Sequence, residues 1–289
     1  MRNRSLYLMI IPVLIFFILF HYKPMYGAII AFKDYTPALG IAESPWVGWD
    51  NFTRFFSSVY FGRLIRNTIL LSFYSLLFGF PAPIILALLL NEVKNKKFKG
   101  LTQTVTYLPH FISMIVVTGM LVDFSMTSGL FNDIIELFGG ERSPLLQNPD
   151  LYRTIYVASG IWQEIGWGSI IYLSALSGVD SQLYEAAQID GAGKWKEFWK
   201  VTFPLVMPFV TINLILSTKN FLMVFDQILS LTKGGPAQST ESISYLIYKN
   251  GMDGGQFGFQ SANAVLFFVV IVAISIFQMT VMGKKEEQL

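Results

Sequence analysis

Six long apolar stretches constrain the fold of this chain more than any other feature of its sequence. An α-helix needs about 20 apolar residues to cross the hydrocarbon core of a bilayer. Inside that core each backbone N–H and C=O must be bonded, which a helix achieves within a single segment. The sequence therefore predicts an all-α integral membrane protein, with residues 1–289 as one transmembrane domain. The predicted spans are residues 6–31, 64–90, 106–126, 155–177, 203–225 and 263–282.

Composition agrees with a bilayer location and excludes several classes of function. Only 14% of the residues are charged, whereas soluble domains carry about 25%. The net charge of +2 gives no reason to expect a nucleic-acid partner. The chain has no cysteine, and its two histidines, His21 and His110, are far apart, so no metal centre is predicted. The phosphate-binding pattern Gly-x-x-x-x-Gly-Lys-Ser/Thr is also absent, so any ATP-Mg must be bound by a different subunit.

The first apolar stretch permits two interpretations. Arg2 and Arg4 precede it, as basic residues precede the apolar region of a signal peptide. A small-x-small cleavage site does not follow, however, and residues 20–24 read Phe-His-Tyr-Lys-Pro. We therefore expect an uncleaved first span that continues past a kink at Pro24.

The distribution of basic residues predicts the topology. Dense basic clusters mark the cytoplasmic side of a membrane protein. The loops on the other side of the membrane have their basic residues spread over a longer stretch of chain. Both termini and loop 178–202 are therefore predicted to be cytoplasmic. The clusters are Arg2 and Arg4; Lys94, Lys96, Lys97 and Lys99; Lys194, Lys196 and Lys200; and Lys284 and Lys285.

Loop 178–202 has the pattern of two short helices joined by glycines. Asp180 or Ser181 is a good N-cap for the first helix, and Gly191 is a natural stop. A second helix is predicted to lie flat on the membrane surface, with apolar residues at i, i+3, i+4 and i+7 from Trp195. Its opposite, polar side would hold Lys194, Lys196, Glu197 and Lys200.

The same loop resembles the EAA loop of ABC importer permeases. It reads Glu185-Ala186-Ala187, three residues, Gly191, nine residues, and Val201-Thr202-Phe203-Pro204. The family usually ends in Ile-x-Leu-Pro, so Val201 and Phe203 are apolar replacements. The resemblance implies a type I ABC importer permease fold, in which this loop is a coupling helix that docks in a groove of the ATPase subunit. The residues that it implies for coupling are Glu185, Ala186, Ala187, Asp190, Gly191 and Pro204.

An ordinary structural explanation of the same residues remains. Glu185 could be a first-turn acid that the helix dipole favours, and Gly191 an ordinary helix C-cap.

Other segments extend the resemblance to carbohydrate-uptake permeases of the maltose type. Residues 231–236, Leu-Thr-Lys-Gly-Gly-Pro, followed by Thr240, resemble a segment of those permeases. Residues 257–262, Phe-Gly-Phe-Gln-Ser-Ala, stand where they have Gly-Tyr-Ala-Ser-Ala. Residues 26–35 and 44–48 are similar to the LplB-like branch, which is linked to complex oligosaccharides.

This resemblance implies a subunit that translocates a carbohydrate across a bacterial cell membrane and performs no covalent chemistry. It also implies a second related permease as heterodimer partner, two ATP-binding subunits and an extracellular solute-binding protein.

Charged and sugar-binding residue types within the spans are candidates for a substrate pathway. Charges inside a membrane are costly and usually line a cavity or form a pair. Glu164 and Lys219 are predicted to lie at similar depth and to pair, and Asp226 lies at the outer end of the fifth span. A purely structural pair, or a Lys219 that extends to the interface, is an equal alternative. Further candidates are Trp162, Gln163, Trp167, Asn213, Asn220 and Phe221, although lipid contact or helix packing explains aromatic residues as well.

Three rival functions stay open at this point. A proton-coupled secondary transporter would need titratable groups near the membrane midplane and usually internal repeats. A sensor or assembly component would not transport, and an ABC permease could carry a solute other than sugar.

Overall fold

The computed structural model describes residues 4–223, 225–232 and 241–286, with the side chains of 4–6, 219, 221, 232 and 282–286 outside that description. The regular secondary structure of this part of the chain is helical, with one isolated β-bridge between Lys33 and Trp46. The predicted all-α class is confirmed for these residues. The α-helices are Arg4–Phe17, Lys23–Met25, Gly40–Glu43, Asp50–Phe56, Phe61–Tyr74, Pro81–Glu92, Lys96–Tyr107, Met114–Ser125, Leu130–Leu137, Pro149–Ser177, Ser181–Ile189, Lys194–Glu197, Phe203–Leu222, Asp226–Thr232, Ile243–Tyr248 and Phe257–Glu286. The 3₁₀-helices are Tyr26–Phe32, Leu108–Phe111 and Leu145–Gln147, and the π-helices are Ile18–Tyr22, Ser75–Gly79, Phe198–Thr202 and Lys249–Asp253.

Five helices among the described residues are long and apolar enough to cross a membrane. They fall on the first, second, third, fifth and sixth predicted spans. The fourth predicted span, 155–177, lies inside the helix Pro149–Ser177, which we name the central helix and which is not among the five. The count of six spans is therefore not confirmed and stays a prediction. The five are Tyr7–Phe32, Phe61–Glu92, Met114–Leu137, Lys194–Thr218 and Phe257–Val281.

The central helix is less apolar because it turns polar side chains inward. Serine, glutamine and tyrosine residues lie on its buried face, which lowers the hydropathy of the helix without exposing those polar groups to lipid. The buried residues are Tyr152, Ser159, Gln163, Gly166, Ser169, Tyr172 and Leu176.

Three of the four π-helical turns of the described residues end two residues before a proline. Proline lacks an N–H, and its ring clashes with the carbonyl one turn earlier. A π turn widens the helix at that place, so the proline is accommodated without ending the helix. The pairs are Ile18–Tyr22 with Pro24, Ser75–Gly79 with Pro81, and Phe198–Thr202 with Pro204.

The third predicted span, residues 106–126, starts too early. Its first residues belong to the helix Lys96–Tyr107, and a new helix, Met114–Ser125, begins after a 3₁₀ turn that contains Pro109. The Ser113 hydroxyl caps that helix by accepting a hydrogen bond from a backbone N–H three residues later, at 3.4 Å. The apolar pattern alone did not reveal this break, because the residues around it are themselves apolar.

The chain forms two compact units, of which the first comprises Met1–Gly62 and Ile243–Val270. Within it, Ala31, Phe52 and Ala262 form a buried cluster. The side-chain amide of Asn51 donates hydrogen bonds to the carbonyls of Ala31 and Lys33, at 3.0 and 3.1 Å. These bonds fix the loop after the first span against the end of that span.

The second unit comprises Arg63–Ser242 and Ile271–Leu289 and has the central helix at its core. Two other helices, Pro81–Glu92 and Phe203–Leu222, pack against the end of the central helix nearest Ser177. Their buried contact consists of Ala87, Tyr172, Leu176 and Val206.

Gly166 allows the central helix to approach the helix Lys96–Tyr107 closely. A Cβ atom at this position would overlap the carbonyl group of Thr106 and lie 2.8 Å from the backbone nitrogen of Tyr107. These are backbone atoms of a helix, so they cannot rotate away as a flexible side chain could. Only glycine fits here.

We predict that Gly166→Ala lowers thermal stability, whereas Gly160→Ala does not. Gly160 lies on the same helix, and its added Cβ would meet only a Gln227 side-chain atom at 3.9 Å. Overpacking at Gly166 should cost about 1–3 kcal/mol, while alanine at Gly160 gains helix propensity of up to about 1 kcal/mol. Thermal unfolding of both variants in mild detergent measures the difference. Equal midpoints for the two variants would contradict the close approach.

Candidate functional site

The elbow helix, Ser181–Ile189, is fixed at its start and exposed along its length. The Asp180 carboxylate accepts a hydrogen bond from the second backbone N–H of the helix at 3.0 Å, so the predicted N-cap is confirmed. No residue of the helix is buried. Leu183 is 45% exposed and Ile189 is 86% exposed, and Glu185 is also exposed. Exposed apolar residues beside an exposed carboxylate are typical of a surface that another protein covers.

The elbow helix ends in a Schellman arrangement at Gly191. Its N–H donates to the Gln188 carbonyl at 3.0 Å, and the next N–H, of Ala192, donates to the Ala187 carbonyl at 2.9 Å. Gly191 has φ +72°, a left-handed conformation that side chains disfavour. The predicted stop at Gly191 is therefore confirmed, with a local cause.

Polar contacts join the elbow helix to the segment after it. The Tyr184 hydroxyl lies 3.2 Å from the Thr202 hydroxyl, so the residue before Glu185 is hydrogen-bonded to the far end of the EAA-like motif. Lys194 pairs with Glu197 at 3.2 Å and with Glu92 at 3.7 Å. Both pairs involve an exposed lysine, so their contribution to stability is small. The hydroxyl pair is the more specific contact.

The predicted separate surface helix after Gly193 is wrong. Lys194–Glu197, Phe198–Thr202 and Phe203–Leu222 follow each other without a break, as one helical run. Glu197, predicted to be on the polar side, is only 6% exposed. The physical reason is the π turn, which accommodates Pro204 and lets the helix continue into the membrane span.

Glu164 and Trp167 lie on the exposed face of the central helix, near its middle, and both contact His110. The Glu164 carboxylate lies 3.0 Å from His110 Nδ1, which must carry the hydrogen because a carboxylate only accepts. The His110 and Trp167 rings are stacked, with centroids 4.5 Å apart and planes within 2°. The Glu164 side chain is 56% exposed. A carboxylate inside a membrane is costly in lipid, so a fourth span through this helix would require this face to meet water or another protein.

Two predicted pathway residues have structural roles. Gln163 is 5% exposed, and its amide donates to the Ile112 carbonyl at 3.1 Å, where the chain breaks between two helices. The Asn213 amide donates to the Tyr172 hydroxyl at 2.5 Å. Both bonds occupy polar groups of the helix interior, so these residues hold helices together.

His110, Glu164 and Trp167 form a group that we name the His110 cluster. Trp162 lies apart from it. It lines a groove of about 480 Å³ whose walls are mostly apolar, including Leu121, Phe124 and Phe131. A groove without convergent polar groups suits acyl chains or apolar side chains better than hydroxyl-rich ligands.

Two of the remaining pathway candidates, Asn220 and Asp226, are exposed. The side chains of Lys219 and Phe221 lie outside the described residues, so the predicted pair of Glu164 with Lys219 is untested. The resemblance segment at 233–236 and Thr240 also lies outside them.

The contacts of His110 with Glu164 and Trp167 were not predicted from the sequence. A lone histidine is a poor metal ligand, so its residue type alone indicated no role. A signal was present, however: Pro109 beside His110 inside an apolar stretch indicates irregular backbone at membrane depth, which is tolerated where protein or water surrounds it. Among the described residues, no group of three or more His, Cys, Asp or Glu could hold a metal ion.

Comparison with known families decides the class of this protein. A profile described as "Binding-protein-dependent transport system inner membrane component" matches residues 79–285. The chain belongs to this family. The match includes the elbow helix, the His110 cluster and the central helix.

Two relatives of this inner membrane component are similar over almost their whole length. "Protein LplB" of Bacillus subtilis (strain 168) is 41% identical over 99% of this chain and 91% of its own length. "Polygalacturonan/rhamnogalacturonan transport system permease protein YteP" of the same organism is 41% identical over 91% of this chain and 83% of its own.

A solved structure shares the fold of this inner membrane component. It is 38% identical, with TM-score 0.87, and the match covers 96% of this chain and 93% of that chain. Its description is "Crystal structure of bacterial alginate ABC transporter in complex with alginate pentasaccharide-bound periplasmic protein". The type I ABC permease fold implied by the EAA-like motif is therefore shown.

We predict that Gly191→Ala loosens the end of the elbow helix. Alanine in the left-handed conformation costs about 1–2 kcal/mol, so the Ala192 N–H should exchange with solvent hydrogen about 5- to 30-fold faster. The matched control is Gly193→Ala, because Gly193 has φ −72° and open space around it. Hydrogen exchange read by mass spectrometry on peptides covering 188–193 tests this. An equal effect of both substitutions would show that conformation at Gly191 is not the cause.

Proposed function

We propose that this chain is a membrane-spanning permease subunit of an ATP-driven importer that translocates a carbohydrate, most simply an oligosaccharide. The observation that carries the proposal is membership of the binding-protein-dependent family over residues 79–285, together with an exposed EAA-like elbow. A relative named for transport of polygalacturonan or rhamnogalacturonan and a similar structure with a protein that holds an alginate pentasaccharide support a sugar substrate.

The proposal includes six spans, with the central helix as the fourth. A 29-residue helix is long enough to cross a bilayer, and its polar groups are largely turned into the protein. With six spans, both termini and the elbow helix lie in the cytoplasm of a bacterial cell, on the side of the basic clusters.

The proposed partners follow from this arrangement. Two ATP-binding subunits would lie on the cytoplasmic side, a solute-binding protein would deliver sugar outside, and a second related permease would complete the pathway. The complex of the similar alginate transporter with a periplasmic protein supports the extracellular partner. In this proposal ATP-Mg is bound and hydrolysed by the ATP-binding subunits.

The elbow helix is the proposed contact with the ATPase. Leu183, Glu185 and Ala186 are exposed, while Tyr184 and Ala187 are half-buried against this chain. Of the residues implied for coupling, Glu185, Ala186, Asp190 and Gly191 form the exposed surface. Since Tyr184 bonds to Thr202 at the base of the fifth span, a push on the elbow would be passed to that helix.

Pro204 has a different role in this proposal. It is exposed and follows the π turn Phe198–Thr202. We assign it to the widened helix at the base of the span, where a weakened hydrogen-bond ladder permits bending.

The proposed substrate pathway runs along the face of the central helix that carries Glu164 and Trp167. A stacked aromatic pair offers an apolar surface to sugar C–H groups, and a carboxylate accepts hydrogen bonds from hydroxyls. His110 positions both side chains. Asn220 and Asp226 are exposed candidates for the outer part of the same pathway.

We predict that Glu185→Lys lowers the amount of ATPase subunit recovered with the tagged permease by about tenfold or more. A loss of about 1.4 kcal/mol of binding free energy is sufficient for a tenfold change. Reversing a charge in a docking surface creates like-charge contacts in place of attractive ones. Purification from the source cell in gentle detergent, with quantitative blotting, measures the recovery.

The matched control is Glu43→Lys, the same substitution at an exposed position of a loop predicted to be extracellular. It should leave the recovery unchanged. A folded wild type that recovers no ATPase would contradict the importer proposal. Uptake that survives loss of the ATPase and collapses with the proton gradient would then favour a secondary transporter.

We predict that Trp167→Ala lowers maximal sugar uptake about tenfold, whereas Trp162→Ala changes it by less than about twofold. The two tryptophans lie on one helix and are almost equally exposed, 45% and 47%. They differ in surroundings, since Trp167 stacks on His110 and Trp162 lines the apolar groove. Uptake of radiolabelled sugar, normalised to the amount of folded protein, separates them. Equal losses would place the pathway elsewhere.

A further inference from the structure

A second cavity lies at the other end of the helix Met114–Ser125, away from the His110 cluster in sequence. Its volume is about 840 Å³, near the upper end of the range of ligand pockets, about 300–1,000 Å³. Residues of one unit, between Val122 and Leu231, line it. By the predicted topology it opens to the outside. The proposed function does not use it.

The wall of this cavity is held by an arginine and a buried asparagine. Arg142 donates to Glu136 at 2.6 and 2.8 Å, to Asp133 at 2.7 Å, and to the Thr127 carbonyl at 3.1 Å. These bonds to Glu136 and then to Asp133 raise the pKa of Arg142, so its charge is permanent. The loop is therefore preorganised, as a binding wall should be.

Asn132 fixes the same loop from inside. It is fully buried, and its amide donates to the carbonyls of Met126 and Ser143, both at 2.8 Å. Its carbonyl oxygen accepts the Ser143 N–H at 2.9 Å. Met126 and Ser143, at the two ends of loop 126–143, are thus both hydrogen-bonded to the Asn132 side chain.

Ser125 supplies the observation that points to a ligand. It lines the cavity, is 2% exposed, and its hydroxyl has no hydrogen-bond partner among the described residues. A buried hydroxyl without a partner is costly, by about 1–3 kcal/mol. A ligand that enters the cavity could bond to this hydroxyl after a rotamer change of Ser125.

The chemistry of the lining favours an uncharged polyhydroxylated ligand. Thr127, Ser128 and Gln147 add hydroxyl and amide groups to that of Ser125, beside apolar surface from Pro144 and Leu146. Hydroxyls both donate and accept, which matches sugar hydroxyls, and the apolar residues can contact sugar C–H groups. Arg142, the cation among the described lining residues, is already paired with two carboxylates.

The surrounding charge disfavours acids. Residues 122–153 contain five carboxylates, Asp123, Asp133, Glu136, Glu141 and Asp150, and two arginines, Arg142 and Arg153, a net charge of −3. All five acidic residues are exposed. Their combined electric field repels anions, including the carboxylate group of a sugar acid.

We propose that the cavity bounded by Ser125 and Arg142 is an outer transit site for neutral oligosaccharides, and that it discriminates against uronate sugars. The proposal rests on the proposed import of carbohydrate and narrows its substrate class. That class differs from the acidic polysaccharides for which YteP and the similar alginate transporter are named.

The absence of cysteine from the chain permits a direct test. Ser128→Cys places a reporter thiol on the wall of the cavity. In right-side-out membrane vesicles, its rate of reaction with the impermeant reagent trimethylammonium-ethyl methanethiosulfonate is measured with maltopentaose, cellopentaose or pentagalacturonate at about 10 mM. Both neutral sugars should slow the reaction by about twofold or more, and pentagalacturonate should not.

The control reporter is Ser58→Cys, the same substitution at a position that does not line the cavity. Its reaction rate should be unaffected by all three sugars. The inference is overturned if neither neutral sugar protects the thiol introduced by Ser128→Cys, if pentagalacturonate protects as well as they do, or if Ser58→Cys is protected equally.

Ser125→Ala, combined with Ser128→Cys, tests the unpaired hydroxyl. The neutral-sugar concentration for half protection should rise about three- to tenfold, while the melting temperature stays the same or increases. An unchanged half-protection concentration would show that Ser125 makes no contact. This protection assay needs no ATP hydrolysis. A negative result here therefore counts against the transit site, whereas failure to recover the ATPase with the permease counts against the proposed importer function.

Discussion

Hydrogen bonding of buried polar side chains on the central helix is the constraint on which the rest of the second unit depends. In a membrane, a buried polar group without a partner costs several kcal/mol, because no water replaces the missing bond. Gln163 therefore bonds to the Ile112 carbonyl, Tyr172 accepts from Asn213, and Ser159 accepts from Gln227 at 2.7 Å. Each bond fixes a different segment against one helix.

The same constraint explains the break before Met114. Interrupting a helix at membrane depth frees backbone carbonyls, and Gln163 satisfies one of them. Gly166, one turn later, lets the preceding helix approach until backbone contacts backbone. Together they place His110 over Trp167 and beside Glu164. A break of this kind brings side chains to a face that a continuous helix would have turned elsewhere.

The elbow helix is connected to the fifth predicted span by the backbone and by one hydrogen bond between side chains. The Schellman end at Gly191 sets the direction of the chain, and the run from Lys194 to Leu222 is helical without interruption. The Tyr184–Thr202 contact joins the elbow helix to this run. In the proposed function, movement of the elbow would become movement of the span, and the π turn before Pro204 is where bending would cost least.

The sequence by itself determined the helical class, the approximate positions of five apolar spans, and both ends of the elbow helix, since these depend on local properties. Apolar length, a capping Asp180 and a left-handed Gly191 act through neighbouring residues. Only the tertiary structure decided that Gln163 and Asn213 hold helices together and that Glu164 contacts His110, 54 residues earlier in the chain. It also showed that the predicted surface helix after Gly193 is part of the fifth span. The physical reason is that a polar residue in a membrane protein takes the partner that packing brings within hydrogen-bond distance, and no local pattern encodes which partner that is.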